Sequence, residues 1–347
     1  MKAAQLLSLI LQLSPLAATP SSASGWVELP PLPDAEGFAA PYAGVSGGAL
    51  IVAGGANFPD APPWRGGTKT WYDSIYVLTQ PDATWRIAGR LPQPAGYGLS
   101  LSTPEGLVCL GGCSASAHFR QVFRLHLQPD GRLIHTPLPP LPQPCAYMAG
   151  VQHGSTLYLA GGTDQPDATR ALSSLWALDL AEKTPTWQEL PPCPGPARIL
   201  ATMGAHGDAL YLFSGAALKA DAAGKPTREW LRDAWRYTPA TRTWQRLADL
   251  PRVAVAAPGP APLVSGHLLV IGGDDGVHAD FEPKEAHPGF PRDVLAYDPA
   301  SDAWSTHGSV PFSLVTTSAV EWQGRIIIPG GEARPGKRSP RVWSHTP

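Results

Sequence analysis

A short apolar run ending in a pair of small residues occurs six times along the chain: LIVAGG (50–55), LVCLGG (107–112), LYLAGG (157–162), LYLFSG (210–215), LLVIGG (268–273) and IIIPGG (326–331). The last glycines of these runs are 57, 50, 53, 58 and 58 residues apart. A period in that range means that one supersecondary unit stacks against copies of itself, because a single unit cannot bury its own apolar face. A polar loop follows each pair, and then a second apolar stretch: WYDSIYVL, QVFRLHL, SSLWALDL, RDAWRYTP, RDVLAYDP and RVW. Four units close on a tryptophan with a proline-rich exit, at Trp85, Trp187, Trp244 and Trp304, while the second unit carries LIHTPLPPLP instead.

Runs of this length, rich in β-branched and aromatic residues and bounded by Gly and Pro, read as strands. The chain holds 36 Gly and 40 Pro in 347 residues without collagen periodicity, which supplies the turns that many short strands need. Four strands per unit of about 50 residues is the kelch pattern, so the expected fold is all-β, a six-bladed kelch-type β-propeller. The expected blades are about 36–92, 93–142, 143–194, 195–251, 252–311 and 312–347. The sixth unit stops before its tryptophan strand, and SGWVELPPLP (24–33) carries a tryptophan and a proline exit with no Gly-Gly run before it. Trp26 precedes Trp85 by 59 residues, one blade's length. The N-terminal strand is therefore expected to complete the last blade and close the ring, leaving no exposed sheet edge.

The first residues, MKAAQLLSLILQLSPLAATPSSASG, have one cation, an apolar centre and a small-residue end. That is the pattern of a secretory signal peptide over 1–23, followed by one propeller over 24–347 in the periplasm or outside the cell. No later segment is long and apolar enough to read as a membrane span. With 26 Lys and Arg against 28 Asp and Glu, the chain has no basic footprint for nucleic acid. Cys109, Cys113, Cys145 and Cys193 have no zinc-ligand spacing and read as structural, with no particular pairing implied. No metal or cofactor is expected.

In a propeller the sites lie in the loops and the central channel, so polar residues just past the Gly-Gly pairs are the candidates. Asn57 and Asp274 stand there, as binding residues. Arg198 (PGPARIL) and Arg252 (LPRVAV), on strands entering a blade, fit either channel-lining cations or structural groups satisfying inner-strand carbonyls. Lys69 and Asp275 read as rim residues. In GGEARPGKR, Glu332 and Arg338 are six residues apart across a Pro-Gly turn, which can fold them together.

The segments GGANFPDAPPWRGGTKTWYDSIYVL, GGDDG with HPGFPRDVLAYD, and GGEARPGKR resemble the N-acetylneuraminate epimerases (sialic acid mutarotases) of the kelch superfamily, particularly their cyclically permuted branch. In that family a GE-x-x-PG-x-R loop supplies a catalytic glutamate and an arginine, which fall here on Glu332 and Arg338. The fourth blade's loop, SGAALKADAAGKPTREWLRD, lacks the glutamate and is not expected to hold the site. The resemblance implies interconversion of the α- and β-anomers of a sialic acid by ring opening and reclosure. That chemistry needs a base at the anomeric hydroxyl and an acid at the ring oxygen. Glu332 is the expected general acid/base, and Arg338 the expected anchor for the sugar's carboxylate, which a guanidinium can grip in bidentate fashion. The expected partner is a small-molecule sugar acid. The alternatives are a mutarotase of another anionic sugar and a non-catalytic kelch module that binds glycan or protein. Six-bladed sialidases repeat S-x-D-x-G-x-x-W boxes, which this sequence does not contain, and no copper-oxidase constellation is readable in it.

Overall fold

Each Gly-Gly run forms the second strand of a four-stranded antiparallel sheet, and the apolar stretch after the loop forms the third. The computed structural model describes residues 25–347, so the expected leader over 1–23 lies outside the described residues. Among these residues there are six four-stranded sheets, and three two-stranded hairpins besides. The first joins Tyr42–Ser46, Ala49–Ala53, Ser74–Leu78 and Arg86–Arg90. The sixth has the order Val320–Trp322, Arg325–Pro329, Val342–His345 and, at its outer edge, Trp26–Leu29. Trp26 pairs with His345 and Leu29 with Val342, so the two ends of the chain share one sheet and the ring closes as the tryptophan spacing requires.

The core is divided among the blade interfaces. Between the sixth and first blades, Trp322, Ile327 and Val342 pack with Leu50, Val52, Tyr76 and Leu78, all buried. The repeated tryptophan staples one blade to the exit of the blade before it. Trp85 Nε1 donates to the Pro30 carbonyl (2.7 Å), Trp187 to Pro139 (2.9 Å), Trp244 to Pro191 (2.8 Å) and Trp304 to Ala248 (3.0 Å). Each ring buries its face and uses its one donor, which is why tryptophan suits the position. The second blade, which lacks it, stacks His135 on Phe123 instead, with centroids 4.3 Å apart. Trp26 closes the ring by stacking on His345 (5.0 Å) and meeting Phe312 edge-on (5.1 Å).

One backbone device dominates the axis. Ala40, Tyr97, Tyr147, Leu200, Ala256 and Thr316, one per blade, all have φ between +51° and +60°. Each N–H donates to the carbonyl of its counterpart in the preceding blade at 2.7–3.0 Å, and Ala40 N donates to Thr316 O, so six hydrogen bonds close on themselves. A left-handed backbone costs a non-glycine residue roughly 1 kcal/mol or more. Here it turns the amides and carbonyls into a ring that satisfies both. The residue just before each ring position bridges to the residue just after the small pair: Ala39 to Ala56, Gly96 to Cys113, Ala146 to Thr163, Ile199 to Ala216, Val255 to Asp274 and Val315 to Glu332. Each blade therefore presents one equivalent station on the same side of the hydrogen-bonded ring.

Candidate active site

A cavity of about 450 Å³ lies on the station side of the ring, with Tyr97, Tyr147, Leu200, Ala256 and Thr316 as its floor. Its walls include Glu332, Arg338, Asp274, Lys69, Arg228 and Phe58. That volume and mixed lining suit a small polar ligand. The same ring residues border a much smaller space of about 80 Å³ on their other side.

Glu332 and Arg338 are brought together by a hairpin of their own. Glu332–Arg334 pairs with Lys337–Arg338, and Glu332 is directly opposite Arg338 in the register. Arg338 Nη1 donates to Glu332 Oε1 at 2.5 Å, and the Gly336 amide donates to the same oxygen at 2.8 Å. Gly336 has φ +75°, and a Cβ there would meet Trp64 at 2.6 Å and Pro63 at 2.7 Å, so the turn is wedged against the first blade's loop. Lys337 holds Glu36 at 3.1 Å from the other flank. The charge cluster at the end of the chain is thus a built wall of the cavity.

Arg338 is placed differently from a free anchor. Its side chain is only 3% exposed, it is ion-paired to Glu332, and its guanidinium lies 5.0 Å over the Phe58 ring. Lys69, which reads from the sequence as a rim residue, lines the cavity instead. Its Nζ lies 5.0–5.8 Å from the ring centres of Phe58, Trp71 and Tyr97 and donates to Tyr97 Oη at 3.2 Å. Among the described residues it has no carboxylate partner. Tyr97 Oη also accepts weakly from Arg338 Nη2 at 3.4 Å. With both lone pairs facing cations, its own proton is free to donate into the cavity.

Asp274 occupies the fifth blade's station beside Glu332 and also lines the cavity. Burial pushes its carboxyl above the usual range. The Gly276 amide and Arg228 oppose that, and Asp275 and Glu332 add to it. The fourth blade contributes after all: its hairpin, Ala216–Ala220 with Pro226–Trp230, supplies Leu218, Pro226 and Arg228 to the wall although its station is Ala216 and not a glutamate.

Three candidates are corrected. Asn57 stands one residue beyond the first blade's station, where strand alternation turns its side chain away. Its amide nitrogen donates to Asp34 (3.0 Å) and to the Gly37 carbonyl (2.9 Å), and its oxygen accepts from Tyr72 (2.8 Å). Arg198 grips both oxygens of Asp233 at 2.7 and 2.6 Å and donates to the Ser214 carbonyl. Arg252 grips Asp293 and donates to the Gly272 carbonyl. Neither arginine reaches the cavity wall. Both are the structural alternative, satisfying strand carbonyls and a carboxylate at the start of the blade's third strand.

The four cysteines are unbridged, and burial pushes the Cys109, Cys113, Cys145 and Cys193 thiols up. Among the described residues no group of three or more His, Cys, Asp or Glu is arranged to hold a metal ion. No helix there is long and apolar enough to cross a membrane.

Comparison with known proteins agrees with this architecture. The model of the KLHDC2/KLHL20/DRC7 Kelch-repeats domain matches residues 107–331, and that of N-acetylneuraminate epimerase matches residues 18–135. The N-acetylneuraminate epimerase of Yersinia enterocolitica is 31% identical over 229 residues, 59% of this chain and 56% of that protein. The one from Haemophilus influenzae is 26% identical over 224 residues, 58% and 57% of the two chains. The match thus spans about half the length of these relatives. A solved structure of YjhT superposes with a TM-score of 0.66 over 90% of this chain and 95% of that one, at 17% identity.

Proposed function

The chain belongs to the kelch-repeat propellers, and on that premise we propose that it is a mutarotase of a sugar acid, acting on the anomers of N-acetylneuraminate. The observation that carries the reading is the Glu332–Arg338 pair on the wall of a cavity that also holds Lys69, which has no carboxylate partner among the described residues. The similarity to N-acetylneuraminate epimerases supports the choice of sugar.

Glu332 accepts the proton of the anomeric hydroxyl. The ring C–O bond then opens to the ketone, and rotation about the adjacent C–C bond presents its other face. Reclosure returns the proton from Glu332 to the new anomeric oxygen. Arg338 holds the carboxylate in place and is a positioning residue. The sugar's own carboxylate goes to Lys69, whose aromatic cage supplies no counter-ion. A partly buried cation without an anion partner is stabilised by taking one from the ligand. Tyr97 donates to the same group or to a neighbouring sugar oxygen. The ring of backbone hydrogen bonds beneath already engages each ring residue's amide and carbonyl.

The test is proton NMR of freshly dissolved α-anomer of N-acetylneuraminate. The protein should accelerate its passage to the β-anomer, and Glu332→Gln should lower that acceleration about 10²–10⁴-fold, the range for loss of a general acid/base. A wild-type protein that accelerates the exchange of no sialic acid excludes this reading. Acceleration with a different sugar acid alone would keep the chemistry and change the substrate.

A further inference from the structure

Ring opening also needs a proton for the ring oxygen, and Glu332, taking one from the anomeric hydroxyl, cannot supply it at the same moment. We infer that Asp274 is the second catalytic residue, the general acid that protonates the ring oxygen as Glu332 deprotonates the anomeric hydroxyl. This rests on the mutarotase reading above and deepens it.

The first observation is position. Of the six equivalent stations around the ring, four hold Ala56, Cys113, Thr163 and Ala216, and the two carboxylates fall on neighbouring blades. Their backbones are fixed alike, Asp274 exchanging both amide bonds with Val255 at 2.8 Å and Glu332 with Val315 at 2.9 and 3.0 Å. A sugar in the cup therefore meets both. The second observation is the difference in partners. Glu332 has a guanidinium at 2.5 Å, whereas Asp274 has one backbone donor, Gly276 N at 3.0 Å, and no ion pair among the described residues. Two carboxylates lining one cavity resist being charged together, and the one without a cation is the more readily protonated. The groups facing Asp274 are Arg228 from the fourth blade's hairpin, Asp275 and His287 from its own loop, and Glu332 from the sixth blade. Their sum, with burial, leaves its carboxyl above the ordinary range. Tyr147 is the poorer donor, since burial pushes its hydroxyl up.

The protons balance. On opening, Glu332 gains one and Asp274 gives one to the ring oxygen. On reclosure at the other face, the hydroxyl returns its proton to Asp274, and Glu332 protonates the ketone oxygen. Each turnover thus restores both residues.

The test is Asp274→Asn. It should lower kcat about 10²–10⁴-fold with KM little changed. It should also remove the alkaline limb of the pH profile, which arises because the acid must stay protonated. Asp274→Glu should restore part of the rate. A stability measurement reads the same proton without turnover. A raised folded pKa contributes stability below the unfolded value of about 3.9, lost as pH rises through the folded value. The melting temperature of Asp274→Asn relative to wild type should therefore climb with pH across that window. An active wild type whose kcat and alkaline limb survive Asp274→Asn overturns the assignment and leaves the mutarotase reading standing. A limb that moves with Tyr97→Phe instead also overturns it. A wild type that accelerates no sugar acid removes both.

Discussion

Replacing Arg198 with methionine separates a structural arginine from a substrate-binding one. Arg198 is 3% exposed and Asp233 11%, and the two share two hydrogen bonds at 2.6–2.7 Å. Burial pushes the Asp233 carboxyl up, but the hydrogen bonds and charge of Arg198, with help from Trp235, outweigh it and hold it below the usual range. Breaking a buried pair leaves an uncompensated charge and costs about 3–5 kcal/mol. A chain of this length has an unfolding entropy of roughly 0.7 kcal/mol/K, so the melting temperature should fall by about 4–7 °C. The pH dependence has a definite sign. A depressed folded pKa gives stability that is fully present above the unfolded value of about 3.9 and lost as pH falls through the folded one. The gap between wild type and Arg198→Met should therefore be widest near neutrality and narrow in acid. The double change with Asp233→Asn should cost less than the two single changes together, because both remove the same pair. Thermal unfolding followed by near-UV circular dichroism reads all of this. A variant with an unchanged melting temperature but a raised KM for the sugar would refute the reasoning and return Arg198 to the channel.

Lys69→Met should raise KM for an anionic sugar by about tenfold or more with a smaller change in kcat, measured by anomer exchange across substrate concentrations. Loss of a charge-assisted hydrogen bond of about 1.5–3 kcal/mol sets that scale. Gly336→Ala should disorder the catalytic hairpin, since the new Cβ meets Pro63 and Trp64 and the φ of +75° disfavours it. Activity should drop while the melting temperature falls by only a few degrees, because the blades themselves are untouched.

Much of this molecule is legible in its sequence because the information is periodic. Six apolar runs ending in small-residue pairs, the tryptophan spacing and the misplaced N-terminal WVELPPLP specify the blades and their closure, since each unit must bury its face against the next. The same register marks the residue after each pair as a channel station, and that points to Asp274 and Glu332. A one-residue error is enough to mislead: Asn57, adjacent to a station, faces the opposite way. The partner of a charged side chain is a different matter. Arg198 and Arg252 read equally as ligand-binding or structural until the tertiary structure sets Asp233 and Asp293 against them. Lys69 reads as rim because nothing local shows that its long loop folds inward over Phe58 and Trp71. Arg228 comes from a blade whose loop lacks the glutamate. Periodicity travels along the chain and can be read there. Whether a charge is paired, caged or free depends on segments tens to hundreds of residues apart, and only the closed ring brings those together.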